Sequence, residues 1–123
     1  GTTPDGSSSF HLPRAIGLKR TLEMTLLGDR YTAQQMADMG LVNFVVPAAD
    51  LDSKSDELAQ RLAQGPTHVH GMAKKLMYRS LENEFESQLQ LESECFAECA
   101  ARNDYQEGVA AFVEKRKARF TGK

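Results

Sequence analysis

LEMTLLGDRYTAQQMADMGLVNFVVP, Leu22–Pro47, decides how the rest of the chain is read. Its opening LEMTLL continues a period of four that begins at Leu18 and runs through Leu22 and Leu26, the spacing of one helix face. Gly28 stops that helix, because glycine enters the left-handed conformation of helix ends at little steric cost. After the Gly-Asp-Arg turn, Thr32 and Gln35 stand at capping-box spacing. They predict a short helix closed by Gly40. The next residues, LVNFVVP, are β-branched and few, and Pro47 closes them, which predicts a strand. A single strand leaves its backbone groups unpaired. Its partner is therefore expected on another chain or on another part of the protein.

Downstream, Asp52 to Gln64 reads as a helix with Leu58 and Leu62 on one side, stopped by Gly65-Pro66. Thr67 is expected to cap the next helix, whose apolar face holds Val69, Met72, Ala73, Leu76 and Met77. A long helix follows from about Glu84 to Arg102, with Phe85, Leu89, Phe96 and Cys99 inward. Asn103 is expected to cap a last helix carrying Tyr105, Val109, Phe112 and Val113. The basic tail KRKARFTGK is expected to fray. Upstream, GTTPDGSSSFHLPR offers a Pro-Asp-Gly turn, three serines and a helix start. The fold class is thus mainly α with one short strand.

The 123 residues fit one modest domain, and 41% hydrophobic residues can build a core of limited size. A formal charge of -2 with 26% charged residues disfavours a nucleic-acid partner, which selects a basic face. No apolar run approaches the roughly 18 residues of a membrane span. No membrane role and no secretory leader are expected. Cys95 and Cys99 lie at i, i+4, a spacing poorly suited to a disulfide within an intact helix. They read as small apolar residues of a reducing, cytoplasmic compartment. Two thiols make no metal site, and none is expected.

Asp5 is the first candidate for chemistry. As a turn residue it bonds its own backbone. As a proton carrier it needs partial burial and a raised pKa, for which Phe10 and Leu12 are near in sequence. An acid/base dyad with His11 is the less favoured arrangement. His68 and His70, at i, i+2, diverge on a helix and form no chelating pair. Ser7, Ser8 and Ser9 lack a nucleophile-elbow pattern. The KRKAR cluster reads either as a solvated helix end or as a phosphate contact. The methionines read as core filler.

Three stretches together, GTTPDGSSSFHLPRAIG, LEMTLLGDRYTAQQMADMGLVNFVVP and EGVAAFVEKRKARF, resemble the C-terminal half of the crotonase superfamily, the enoyl-CoA hydratases and isomerases. The resemblance covers essentially the whole chain in order. Within the superfamily, PDGSSSFHLPR and the tail are similar to the phenylacetate-pathway isomerases of ring-epoxide CoA thioesters.

The resemblance implies the C-terminal helical part of a crotonase-like α/β spiral fold. It divides the chain into 1–47, the end of the core with an acyl-pocket segment, and 48–123, a helical oligomerisation region. It implies proton transfer on acyl-CoA thioesters through a stabilised enolate. Asp5 stands where many hydratases have glycine and several isomerases a carboxylate. The glutamate that activates water in hydratases, and the two amides that hold the thioester oxygen, belong to segments upstream of those matched. The chain is accordingly expected to be the C-terminal portion of a longer enzyme and inactive alone. By the same resemblance, Phe112 and Lys115 lie near the adenine and phosphate of coenzyme A, which is part of the substrate; no separate cofactor is expected. Trimers or hexamers of identical subunits are the implied assembly. The alternative is a non-catalytic helical module that only self-associates.

Overall fold

The computed structural model describes residues 1–123, and their contacts fall into two units, Gly1–Leu51 and Asp52–Lys123.

In the first unit, α1 (Ser8–Ile16) and α2 (Leu18–Leu27) pack together across the single hinge residue Gly17. Gly17 has φ 82, open to glycine and costly to any other residue. Ile16 and Thr21 are the buried residues of the pair. Thr21 spends its hydroxyl on the Gly17 carbonyl, 3.0 Å away, so no buried polar group is left open. The expected capping box is present: the Gln35 N–H donates to the Thr32 hydroxyl at 3.2 Å, and the Thr32 N–H to the Gln35 side-chain oxygen at 2.8 Å. It starts α3 (Ala33–Asp38). That helix ends in a Schellman motif, with the Leu41 N–H on the Met36 carbonyl, the Gly40 N–H on the Ala37 carbonyl, and Gly40 left-handed at φ 82.

The strand expected at 41–47 does not form. Those residues run without regular structure into a short 3₁₀ turn, Ala48–Asp50. The physical reason is the one the sequence raised: the chain has no strand to supply a ladder for their N–H and C=O groups. Phe44 is 74% exposed, so no side-chain packing holds the segment in register either.

The second unit carries α4 (Leu51–Ala63, which begins at the boundary), α5 (Thr67–Arg79), α6 (Phe85–Ala100) and α7 (Asn103–Val113). Successive helices α5, α6 and α7 pack pairwise. The α5–α6 turn is closed by Gln88, whose side chain donates to the Leu76 carbonyl at 3.2 Å and accepts from Asn83 at 3.0 Å. Two expected caps shift by one residue. Pro66 precedes α5 and Arg102 precedes α7, so Thr67 and Asn103 are the first helical residues and cap nothing with their side chains.

The burial pattern also corrects the sequence reading. On α6 the buried residue is Cys95, while Phe85 and Phe96 are mostly exposed and Leu89 half so. On α7 the packed face is Asp104, Gly108 and Ala111, at i, i+4 and i+7. Val109, Phe112 and Val113 of the apolar stripe face outward, while Tyr105 meets Phe96 of α6 edge-on at 6.1 Å. The chain exposes 9911 Å². Two separate compact bodies of these lengths would together expose only about 7,900 Å².

Candidate functional site

Asp5 lies in an exposed turn of the first unit. Its carbonyl accepts from the Ser8 N–H at 3.0 Å and from the Ser8 hydroxyl at 2.6 Å. Gly6 and Ser7 are both left-handed, at φ 55 and 63, and turn the chain sharply into α1. The turn explains why the carboxylate stands clear of the helix it precedes. The partial burial that proton transfer requires is absent: Phe10 is 38% exposed and is occupied by the Arg14 guanidinium, 3.6 Å above its ring. His11 meets Phe10 edge-on at 5.2 Å. The three serines serve the turn and the helix start.

The other candidates sit at the end of α7 in the second unit. Phe112 is 86% exposed, the most open of the large apolar side chains. Lys115 follows at φ 54, one of two non-glycine residues in the left-handed region. It occupies the turn of a second Schellman motif, with the Arg116 N–H on the Ala111 carbonyl and the Lys115 N–H on the Phe112 carbonyl. Phe112 and Lys115 thus occupy the last turn of one helix and the residue that leaves it.

Beyond Lys115 the tail does not fray. Glu107, on α7, takes both terminal nitrogens of Arg116 at 2.6 and 2.9 Å and also the Arg119 N–H at 2.7 Å. Arg116 reaches Glu114 as well. Buried Asp104 accepts from the Thr121 N–H at 2.7 Å, the Thr121 hydroxyl at 3.2 Å and the Gly122 N–H at 2.8 Å. Its own N–H donates to the Lys123 carbonyl at 3.1 Å. Phe120 lies over Gly108, and a side chain at left-handed Gly122 would collide with the Thr67 hydroxyl. The Arg116 guanidinium, with help from the Arg119 N–H, holds the Glu107 carboxyl down at about 2. The Thr121 backbone bond comes first in holding Asp104 below its ordinary range, against its burial. This clasp escaped the sequence reading because the partners that tie the tail to α7 are nine to nineteen residues apart. That exceeds the i, i+4 reach at which helical pairs are legible.

Two concavities lie within the second unit. One, of about 520 Å³, is an apolar groove between α5 and α6 lined by Val69, Met72, Leu76, Leu89, Cys95 and Cys99. Both thiols are free, and burial pushes the Cys99 thiol up. The other, of about 910 Å³, follows the tail past Gln64, Arg116, Lys117, Arg119 and Phe120. Neither is lined by Asp5, Phe112 or Lys115. The sequence-selected residues therefore stand on open surface. His68 Nε2 lies 3.0 Å from Glu98 Oε1, at ion-pair distance but not in hydrogen-bonding alignment. No group of three or more His, Cys, Asp or Glu is placed to hold a metal ion.

The family model for enoyl-CoA hydratase/isomerase matches residues 1–123. Among curated relatives, the 1,2-epoxyphenylacetyl-CoA isomerase of Escherichia coli is 36% identical over 100% of this chain and 47% of its own length. The mitochondrial enoyl-CoA hydratase of Pongo abelii is 35% identical over 98% of this chain and 41% of its own. A crystal structure of an enoyl-CoA hydratase from Bacillus anthracis superposes with a TM-score of 0.90 at 31% identity, covering 100% of this chain and 48% of that one. The chain spans about half the length of the curated relatives it matches. The helical architecture corresponds to part of the fold of those enzymes.

Proposed function

The chain belongs to the enoyl-CoA hydratase/isomerase family, and on that footing we propose that it serves proton transfer on enoyl-CoA thioesters through an enolate. The supporting observation is the match of a single family over the whole chain, in sequence and in fold. In this reading Asp5 takes a proton from one carbon of the acyl group and returns it to another. An α-proton of a thioester is only weakly acidic. Its removal is feasible when preorganised amides grip the thioester oxygen, each worth about 3 kcal/mol or more. By the family resemblance those amides come from sequence outside the matched half. Asp5, exposed here, gains the burial a proton carrier needs only when further protein covers it. The 123 residues alone are therefore expected to be inactive. The isomerase direction rests on the carboxylate at Asp5, and ring-epoxide CoA thioesters on the resemblance of PDGSSSFHLPR and the tail to the phenylacetate-pathway isomerases.

Phe112 and Lys115 would meet the nucleotide half of coenzyme A, a ring against the purine and an ammonium against phosphate. No cofactor beyond this part of the substrate is invoked. The outward stripe of α7 and the large exposed area favour cover by further protein surface; by the family resemblance that cover includes identical subunits in a trimer or hexamer, and the two free thiols favour the cytoplasm. No helix is long and apolar enough to cross a membrane.

The test is Asp5→Asn in the polypeptide that the gene encodes. Binding of CoA thioesters is expected to survive while isomerase turnover is lost. Undiminished turnover would end the assignment of Asp5. Sedimentation of the wild type as a monomer at micromolar concentration would end the assembly proposal.

A further inference from the structure

The chain closes two helices with the same Schellman motif, and the two differ at the residue that must be left-handed. After α3 that residue is Gly40, the residue the conformation favours. After α7 it is Lys115, whose backbone is strained there. Its neighbours are fully engaged. Glu114 and Arg116 are bonded to each other across it, and Arg116 is bonded again to Glu107. The rest of the tail is tied to α7 through Arg119, Thr121 and Gly122. The residues on either side of Lys115 are held, while its own ammonium pairs with no carboxylate. The clasp also neutralises Arg116, while Lys115 keeps an open ammonium at the helix end that carries exposed Phe112.

We propose that Glu107 and Asp104 are positioning residues for an anionic group bound at Lys115: by clasping residues 116–123 onto α7 they hold Lys115 left-handed and present its ammonium beside Phe112. The ligand class is a phosphate-bearing purine nucleotide, with the ring on Phe112 and a phosphate on Lys115. This rests on the reading that coenzyme A is bound here and adds what holds its site in shape. Strain at one backbone position is maintained by hydrogen bonds at others, because the free residue would spend most of its time elsewhere in φ/ψ space. Releasing the clasp lowers the fraction of molecules competent to bind and weakens apparent affinity in proportion.

The probes are CoA and, as a ligand without the nucleotide, pantetheine. Calorimetric titration is run on the full chain as wild type, Glu107→Gln, Asp104→Asn and Lys115→Met, alongside amide exchange at Arg119, Thr121 and Gly122. Wild type is expected to prefer CoA over pantetheine. Glu107→Gln and Asp104→Asn are expected to speed exchange of the tail amides and to weaken CoA binding about tenfold, leaving pantetheine unchanged. Lys115→Met is expected to weaken CoA by a similar factor, roughly tenfold, with tail exchange unchanged. A tail that loosens while CoA affinity stays at the wild-type value overturns the positioning role and leaves the coenzyme A reading intact. A wild type that binds CoA no better than pantetheine overturns that reading, and this inference falls with it.

Discussion

Replacing Lys115 with glycine should make the protein more stable. A left-handed conformation costs an ordinary L-residue roughly 1–2 kcal/mol relative to the right-handed helix. Lys115 meets that cost at φ 54. Glycine avoids most of it but loses more backbone freedom on folding, about 0.5–1 kcal/mol relative to alanine. The difference leaves a net gain of about 0.5–1 kcal/mol. The two hydrogen bonds of the Schellman motif are made by backbone groups, so the substitution leaves them in place. In a urea titration followed by helical circular dichroism, with a slope of about 1.5 kcal/mol/M, the midpoint should rise by roughly 0.5 M. Lys115→Ala is the control: it keeps the strained backbone and removes only the charged side chain, so its midpoint should stay near that of the wild type. A glycine variant no more stable than wild type would refute the claim of strain. An alanine variant that gains as much as glycine would show that the cost lay in the side chain rather than in the backbone.

Thr32→Ala removes the hydroxyl that accepts from Gln35 and should loosen α3 by about 1 kcal/mol. Amide exchange through residues 33–38 should quicken severalfold, with recovery in Thr32→Ser, and unchanged exchange would show the cap to be idle. The tail should respond to acid with a definite sign. Glu107 is held at about 2, below its ordinary 4.5, chiefly by Arg116. Its contribution is therefore complete above about 4.5 and is lost as pH falls towards 2. Asp104 is lowered in the same direction. The Arg119 amide resonance should shift with a midpoint near 2; a midpoint near 4.5 would mean that the Glu107 clasp does not persist in solution.

The exposed apolar faces bear on how this chain meets its surroundings. On α7 the residues that would ordinarily face a core point outward, and a small, partly acidic face packs inward instead. Such an inversion is stable when the inner face satisfies its polar groups, as Asp104 does with three donors from the tail. The outer stripe is then open to another protein surface, whether of the same polypeptide or of a second copy.

The sequence by itself determined the helices and, to within a residue or two, their ends. The period of Leu18, Leu22 and Leu26, the Thr32–Gln35 box and the glycines at 28 and 40 act within one or two turns, and local hydrogen bonds and backbone sterics suffice to set them. The family, too, was legible, because its motifs are continuous stretches. Tertiary structure alone decided three things. LVNFVVP is no strand here, because β propensity cannot act without a ladder partner. The apolar stripes of α6 and α7 lie outward, because a periodic face specifies that something covers it and not which surface does so. The basic tail is folded back rather than frayed, because carboxylates nine and seventeen residues away in sequence become its nearest partners only once α7 has formed.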